Sequence, residues 1–205
     1  MGEDEIGLRR LEKKQGSREF LAWLAAEADD LAHLFHITPG LADLADPWTV
    51  EGLAGIERAA MERMPTPSAT ATGEEMAYLA LCARGIGHTY LRTMGEGRWV
   101  WVDLYEGEPP VPALEFPGHT VWTDPGISIR NIVYDRHPGG LAEELQRLAD
   151  WSRESHKYWE ELEQKRLELE RERALQRELH PEVKSRAREA PGLSKGIEKG
   201  LGRGK

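Results

Sequence analysis

The segment that follows Glu154 constrains the fold most, because it holds too few apolar residues to build a core. Residues 160–173 read EELEQKRLELERER, so that leucine is the only apolar residue type in this charged run. From Pro191 the chain is rich in glycine and lysine and contains few apolar residues. Segments of this composition cannot bury enough apolar surface to offset the entropy lost on folding. The core must therefore form from the residues before Glu154.

The chain of 205 residues has room for one domain with extensions or for two very small domains, and its patterns divide it into four parts. We expect a charged N-terminal segment at 1–16 and an α+β globular domain at 17–150. Residues 151–180 are predicted to form a charged extended helix, and residues 181–205 a disordered basic tail. The expected fold class is α+β, with N-terminal helices, a small antiparallel sheet of about three strands and a long C-terminal helix.

Three helices are predicted in the first half of the domain, because apolar residues recur there at helical spacing. Ser17 is expected to cap the first of them, and Pro39 to end it, since proline cannot continue a helix. The predicted spans are Ser17 to Pro39, Asp46 or Thr49 to Met64, and Glu74 to Gly95.

The period of the sequence changes after Gly97, where side chains alternate between two faces of a predicted strand. This strand covers residues 98–105, and two further short strands are predicted at 111–116 and 119–123. The sheet is expected to be antiparallel, because connections this short cannot make a parallel crossover. Residues 127–134 fit either a strand or a helix.

A helix of roughly 40 residues is predicted from Leu141 to Pro181, which would be about 60 Å long at 1.5 Å per residue. Its apolar residues at heptad a and d positions are Leu141, Leu145, Leu148, Trp159, Leu162 and Leu169. Polar residues interrupt the same series at Ser152, Ser155, Arg166 and Arg173. The pattern allows a poorly sealed coiled coil, so this helix is either an arm that binds another protein or a second copy of the chain, or a solvated helix that only extends the domain.

Tryptophan supplies the main candidate binding residues. Trp99 and Trp101 share one face of the first predicted strand, and Trp122 lies on a nearby strand. An exposed ladder of this kind would be a binding platform, since tryptophan is enriched at interface hot spots. The alternative that the helices cover this face is favoured, because large aromatic side chains are highly buried on average. His88 completes the set of candidate binding residues.

No catalytic or metal motif is predicted. The side chains available for a metal or for acid–base chemistry are His88, His119, Asp124 and His137, and they lack the close ligand pair that zinc sites use. We expect neither a metal nor another cofactor. Carboxylates surround the predicted hairpin at Asp103, Glu106, Glu108 and Glu115. A small hydrolase that uses these carboxylates or His88 is therefore an alternative hypothesis, because glycoside hydrolysis needs two carboxylates across a cleft.

Composition excludes some classes of function. The net charge of −9 disfavours general binding to nucleic acid, although the basic tail leaves a nucleic-acid-associated protein as a further alternative. No apolar run approaches the roughly 20 residues that a membrane helix needs, so no membrane partner is expected. A single cysteine, Cys82, is typical of a reducing compartment, and we expect a cytoplasmic protein.

Two segments, DPWTVEGLAGIE at 46–57 and IGHTYLRTMGEGRW at 86–99, carry a family resemblance. Their order resembles a group of small actinobacterial α+β domains of unknown function, over roughly residues 45–150. His88 stands where those domains have glutamate, and Glu96 replaces one glycine. Some similar domains are immunity or accessory proteins that act by binding. The resemblance implies no known reaction. With the lack of catalytic spacing and the partly apolar seam of the long helix, we expect a non-enzymatic binding or accessory protein, immunity-like or assembly-associated, that acts through protein–protein contacts.

Overall fold

The structure is a computed structural model that describes residues 14–65, 72–103, 109–119 and 121–179. The chain divides into two compact units, of which the first ends at His156 and the second begins at Lys157. The first elements are α1 (Arg18–Ala25), α2 (Glu27–Ile37), α3 (Val50–Arg63) and α4 (Gly73–Met94). They are followed by β1 (Arg98–Val102), β2 (Val111–Glu115), α5 (Pro125–Asp135) and α6 (Gly140–Leu179). The described part is mostly helical, and the predicted long C-terminal helix is confirmed.

Local capping residues start several helices where the sequence predicts them. The hydroxyl of Ser17 accepts a hydrogen bond from the backbone N–H of Phe20 at 3.2 Å, as a helix N-cap does. Thr49, rather than Asp46, caps α3, because its hydroxyl accepts the N–H of Gly52 at 3.4 Å. Gly95 ends α4 with a φ of +70°, a conformation that glycine adopts without strain.

The predicted first helix is in fact two helices, α1 and α2, which meet at Ala26. Arg84 of α4 explains the break. Its Nη2 atom donates a hydrogen bond of 2.6 Å to the carbonyl oxygen of Trp23. A continuous helix would use that oxygen to accept the N–H of Glu27, four residues later. The helical spacing alone did not reveal this competition.

The prediction of a third strand is wrong, since β1 and β2 form a two-stranded antiparallel sheet. The predicted third strand makes a single bridge, in which Thr123 pairs with Leu114. The chain cannot extend that ladder because Asp124 already caps α5, with its carboxylate accepting the N–H of Gly126 at 2.8 Å. Residues 127–134, which fitted either state, belong to α5. Residues 104–108, including Glu106 and Glu108, lie outside the described residues.

Helix α4 lies at the centre of the core and packs on α2, α3 and α5. Its buried face contributes apolar side chains that lose almost all of their exposure to solvent, which are Leu79, Cys82, Ile86 and Tyr90. Gly87 on this face leaves space for the indole ring of Trp99, because a Cβ atom there would overlap the ring. Close contact of helix and sheet therefore depends on a residue without a side chain.

None of the helices in the described ranges is long and apolar enough to span a bilayer. In the second unit, the helical residues 157–179 carry mostly charged side chains, and nearly all of those described are exposed.

Candidate functional site

Trp99 and Trp101 lie on the face of the sheet that packs against the helices. Only 8% of Trp99 is exposed, and its ring meets that of Trp23 edge-on at a centroid distance of 4.8 Å. Trp101 is half-buried, and its ring centroid lies 5.4 Å from that of Phe20. These contacts stabilise the fold, as aromatic pairs do. Trp99 offers almost no surface to a partner.

Trp122 and His88 have different surroundings. Trp122 precedes α5, is 41% exposed and lines a surface groove. His88 is half-buried on α4, where its Nδ1 atom lies 3.3 Å from the carboxylate of Glu27. The ring of His88 also meets that of Trp48 edge-on. The four candidate binding residues thus do not share one site.

The groove beside Trp122 has a volume of about 700 Å³ and lies between α5 and the first turns of α6. Its acidic lining residues are Asp124, Asp135, Glu143 and Glu144. Its basic or titratable lining residues are Arg147 and His137, and His137 lies 3.0 Å from the carboxylate of Glu143. The excess of carboxylates gives the groove a negative potential, which favours cationic groups over anionic ones.

Glu144 is the carboxylate of this groove that is most enclosed by protein. It accepts hydrogen bonds from Ser128 Oγ at 2.9 Å and from the hydroxyl of Tyr90 at 3.3 Å. Burial raises the pKa of Glu144 despite these two donors, because a charged carboxylate loses hydration there. Both donors come from the fold itself, so they hold Glu144 in place and join α4, α5 and α6.

The described residues proposed for catalysis do not meet in one site, although Asp124 and His137 line the groove beside Trp122, and Glu115 and His119 line a second surface depression. Asp103 pairs with Lys14, and Glu115 accepts a hydrogen bond of 2.8 Å from Arg98. His119 stacks on Trp151, while Asp124 caps a helix. Across the described ranges, no three histidine, cysteine, aspartate or glutamate side chains are arranged to hold a metal ion. This arrangement gives no support to a hydrolase.

The second unit presents two neighbouring exposed aromatic side chains. Tyr158 is 57% exposed and Trp159 is 58% exposed, and their rings meet edge-on with centroids 5.8 Å apart. Leu169 is 53% exposed, and Leu162 is half-buried. At about 100° per residue, these four side chains fall within an arc of about 100° on the helix. We call them the aromatic face. The heptad pattern identified three of them, but not Tyr158, which lies beside the seam.

No protein-family model, curated protein or solved structure is significantly similar to this chain. The resemblance to actinobacterial α+β domains therefore stays a prediction.

Proposed function

We propose that this chain is a non-enzymatic protein-binding protein that associates with a second copy of itself through the aromatic face. The single observation that carries the proposal is the exposure of Tyr158 and Trp159, each more than half accessible to solvent. Tryptophan and tyrosine are enriched among the residues that dominate the energy of protein interfaces.

Burial of these side chains would supply the driving force. Removal of apolar surface from water contributes about 25 cal/mol per Å², and one large aromatic side chain buries about 150–250 Å². Tyr158 and Trp159 together would therefore contribute several kcal/mol before the entropy of association is subtracted. Most of the other side chains of residues 157–179 are charged, so the aromatic face is the part of this segment that gains most from a partner.

The partner proposed for this face is a second copy of the chain. An identical helix presents the same four side chains, and a two-fold axis would place them against each other. Leu162 and Leu169 occupy the same heptad position, as a helical pair requires. Arg166 interrupts the seam between them, which predicts a short and moderately stable contact rather than a long coiled coil.

Co-purification of two differently tagged full-length copies tests the proposal. We expect the tagged copies to exchange and co-purify for the wild-type chain, and to lose most of this association in Trp159→Ser. Tyr134→Ser is the matched control, because Tyr134 is an aromatic residue of the first unit that is 68% exposed. Equal co-purification of Trp159→Ser and the wild type would exclude the aromatic face as the contact.

We also propose a reducing, cytoplasmic location, which is supported by the single cysteine of the chain. The basic residues on which a nucleic-acid hypothesis depends lie after His180, outside the described residues.

A further inference from the structure

The imidazole of His119 connects the end of the sheet to α6. Its ring centroid lies 4.5 Å from that of Trp151 on α6, with the planes inclined by 30°. The centroid of the His119 ring also lies 5.5 Å from that of Phe116, which follows β2, with the planes inclined by 52°. His119 thus connects the segment after β2 with α6, which are far apart in the sequence.

Both ring nitrogens of His119 are closed off from water and have no hydrogen-bond partner among the described residues. A neutral imidazole carries one donor and one acceptor, whereas the protonated ring carries two donors and a positive charge. An unpaired charge at such a place is more costly than an unpaired neutral group. Burial accordingly lowers the pKa of His119.

The charged groups around His119 do not cancel this effect. Glu96 favours the protonated ring, but its carboxylate already accepts a hydrogen bond of 2.7 Å from Ser152 Oγ and lies 3.5 Å from His156 Nε2. His156 itself opposes protonation of His119. On the side of the sheet, Arg98 and Glu115 line the same surface depression as His119 does. The guanidinium of Arg98 lies 2.7 Å from the carboxylate of Glu115, so these two charges pair with each other.

We propose that His119 is an acid-sensitive latch, whose protonation loosens the packing of α6 residues 151–156 against the loop at 116–119. The neutral ring packs against the rings of Trp151 and Phe116, and the protonated ring would need hydrogen-bond acceptors, which none of the described residues provides to its two nitrogens. The latch is closed above the ordinary histidine pKa of about 6.5 and opens as the pH falls through the lowered pKa of the folded state. This inference does not depend on self-association.

Two measurements on the full chain test the latch. The first is the urea midpoint of unfolding at about pH 7.5 and about pH 5, on either side of the histidine range. We expect the midpoint of the wild type to fall on acidification by clearly more than that of His119→Phe, which keeps an aromatic ring without a titrating group. The second is the pH titration of the Trp151 indole N–H resonance, with an inflection below about pH 6.5 that His119→Phe removes.

The matched control is His33→Phe, since His33 is an exposed histidine on α2 and its loss should leave the acid response intact. If His119→Phe does not fold, His119→Gln supplies a neutral polar side chain for the same comparison. An equal fall of the urea midpoint in wild type and variant would overturn the proposal. So would a Trp151 resonance that titrates at or above the ordinary histidine pKa.

Discussion

The buried carboxylate of Glu57 accepts a hydrogen bond of 2.6 Å from the backbone N–H of Leu141. Glu57 belongs to α3 and is only 2% exposed, and it also accepts the N–H of Gly139 at 2.7 Å. It thereby satisfies donors that a helix N-terminus leaves free, and its charge complements the positive end of the helix dipole. One side chain therefore fixes where α6 begins relative to α3.

Replacement of this carboxylate should destabilise the fold. We expect Glu57→Gln to lower the free energy of unfolding by about 2–4 kcal/mol, because the amide group can accept only one of the two backbone donors and turns its own N–H₂ toward the other. Urea unfolding measures the change. Glu62→Gln is the control, since Glu62 is exposed on the same helix and should change stability by less than about 0.5 kcal/mol. Similar losses in both variants would contradict the capping role.

The contact of Gly87 with Trp99 gives a second prediction. We expect Gly87→Ala to lower the free energy of unfolding by about 1–3 kcal/mol, because the new methyl group would overlap the indole ring. Gly73→Ala is the matched control on α4, as a Cβ atom there has no neighbour within 4 Å. It should be neutral or stabilising by up to about 1 kcal/mol. Thermal unfolding measures the stability of both variants. Equal stabilities would contradict the close contact between α4 and the sheet.

Cys82 should be inert in the folded chain. It is fully buried on α4, and burial raises the pKa of its thiol to about 12, so almost no thiolate forms at neutral pH. We expect a disulfide reagent to modify Cys82 only as fast as the chain unfolds, and to modify it at once in concentrated urea. Rapid modification in native buffer would show that α4 opens readily.

Self-association should couple to thermal stability. A partner that binds only the folded chain stabilises it by mass action, so the unfolding temperature should rise with protein concentration. Circular dichroism at several concentrations measures this shift. Trp159→Ser should unfold at the same temperature throughout the series, whereas Tyr134→Ser should behave as the wild type does.

Local chemistry made much of this fold predictable. The caps at Ser17 and Thr49 and the helix end at Gly95 depend on neighbours within a few residues, and the sequence displays those directly. The break at Ala26 depends on Arg84, which lies 61 residues after the carbonyl that it binds. No helical periodicity can reveal such a competition.

The residues of the candidate sites show the same difference between features set by neighbouring residues and features set by distant ones. The heptad spacing predicted Trp159 and Leu162 on one face of α6, because a helix places them there regardless of the rest of the chain. Glu57 and His119 gain their roles from residues far away in the sequence, and neither lies in a recognisable motif. The prediction of a third strand was wrong for a related reason, since the helix cap formed by Asp124 ends the extended segment after a single bridge.

Sedimentation equilibrium of the full-length chain across a wide range of concentrations tests the proposed function most directly. The account predicts a mass that rises from one chain toward two as the concentration increases, and a mass of one chain at every concentration for Trp159→Ser. A wild-type mass that stays at one chain throughout would contradict self-association through the aromatic face.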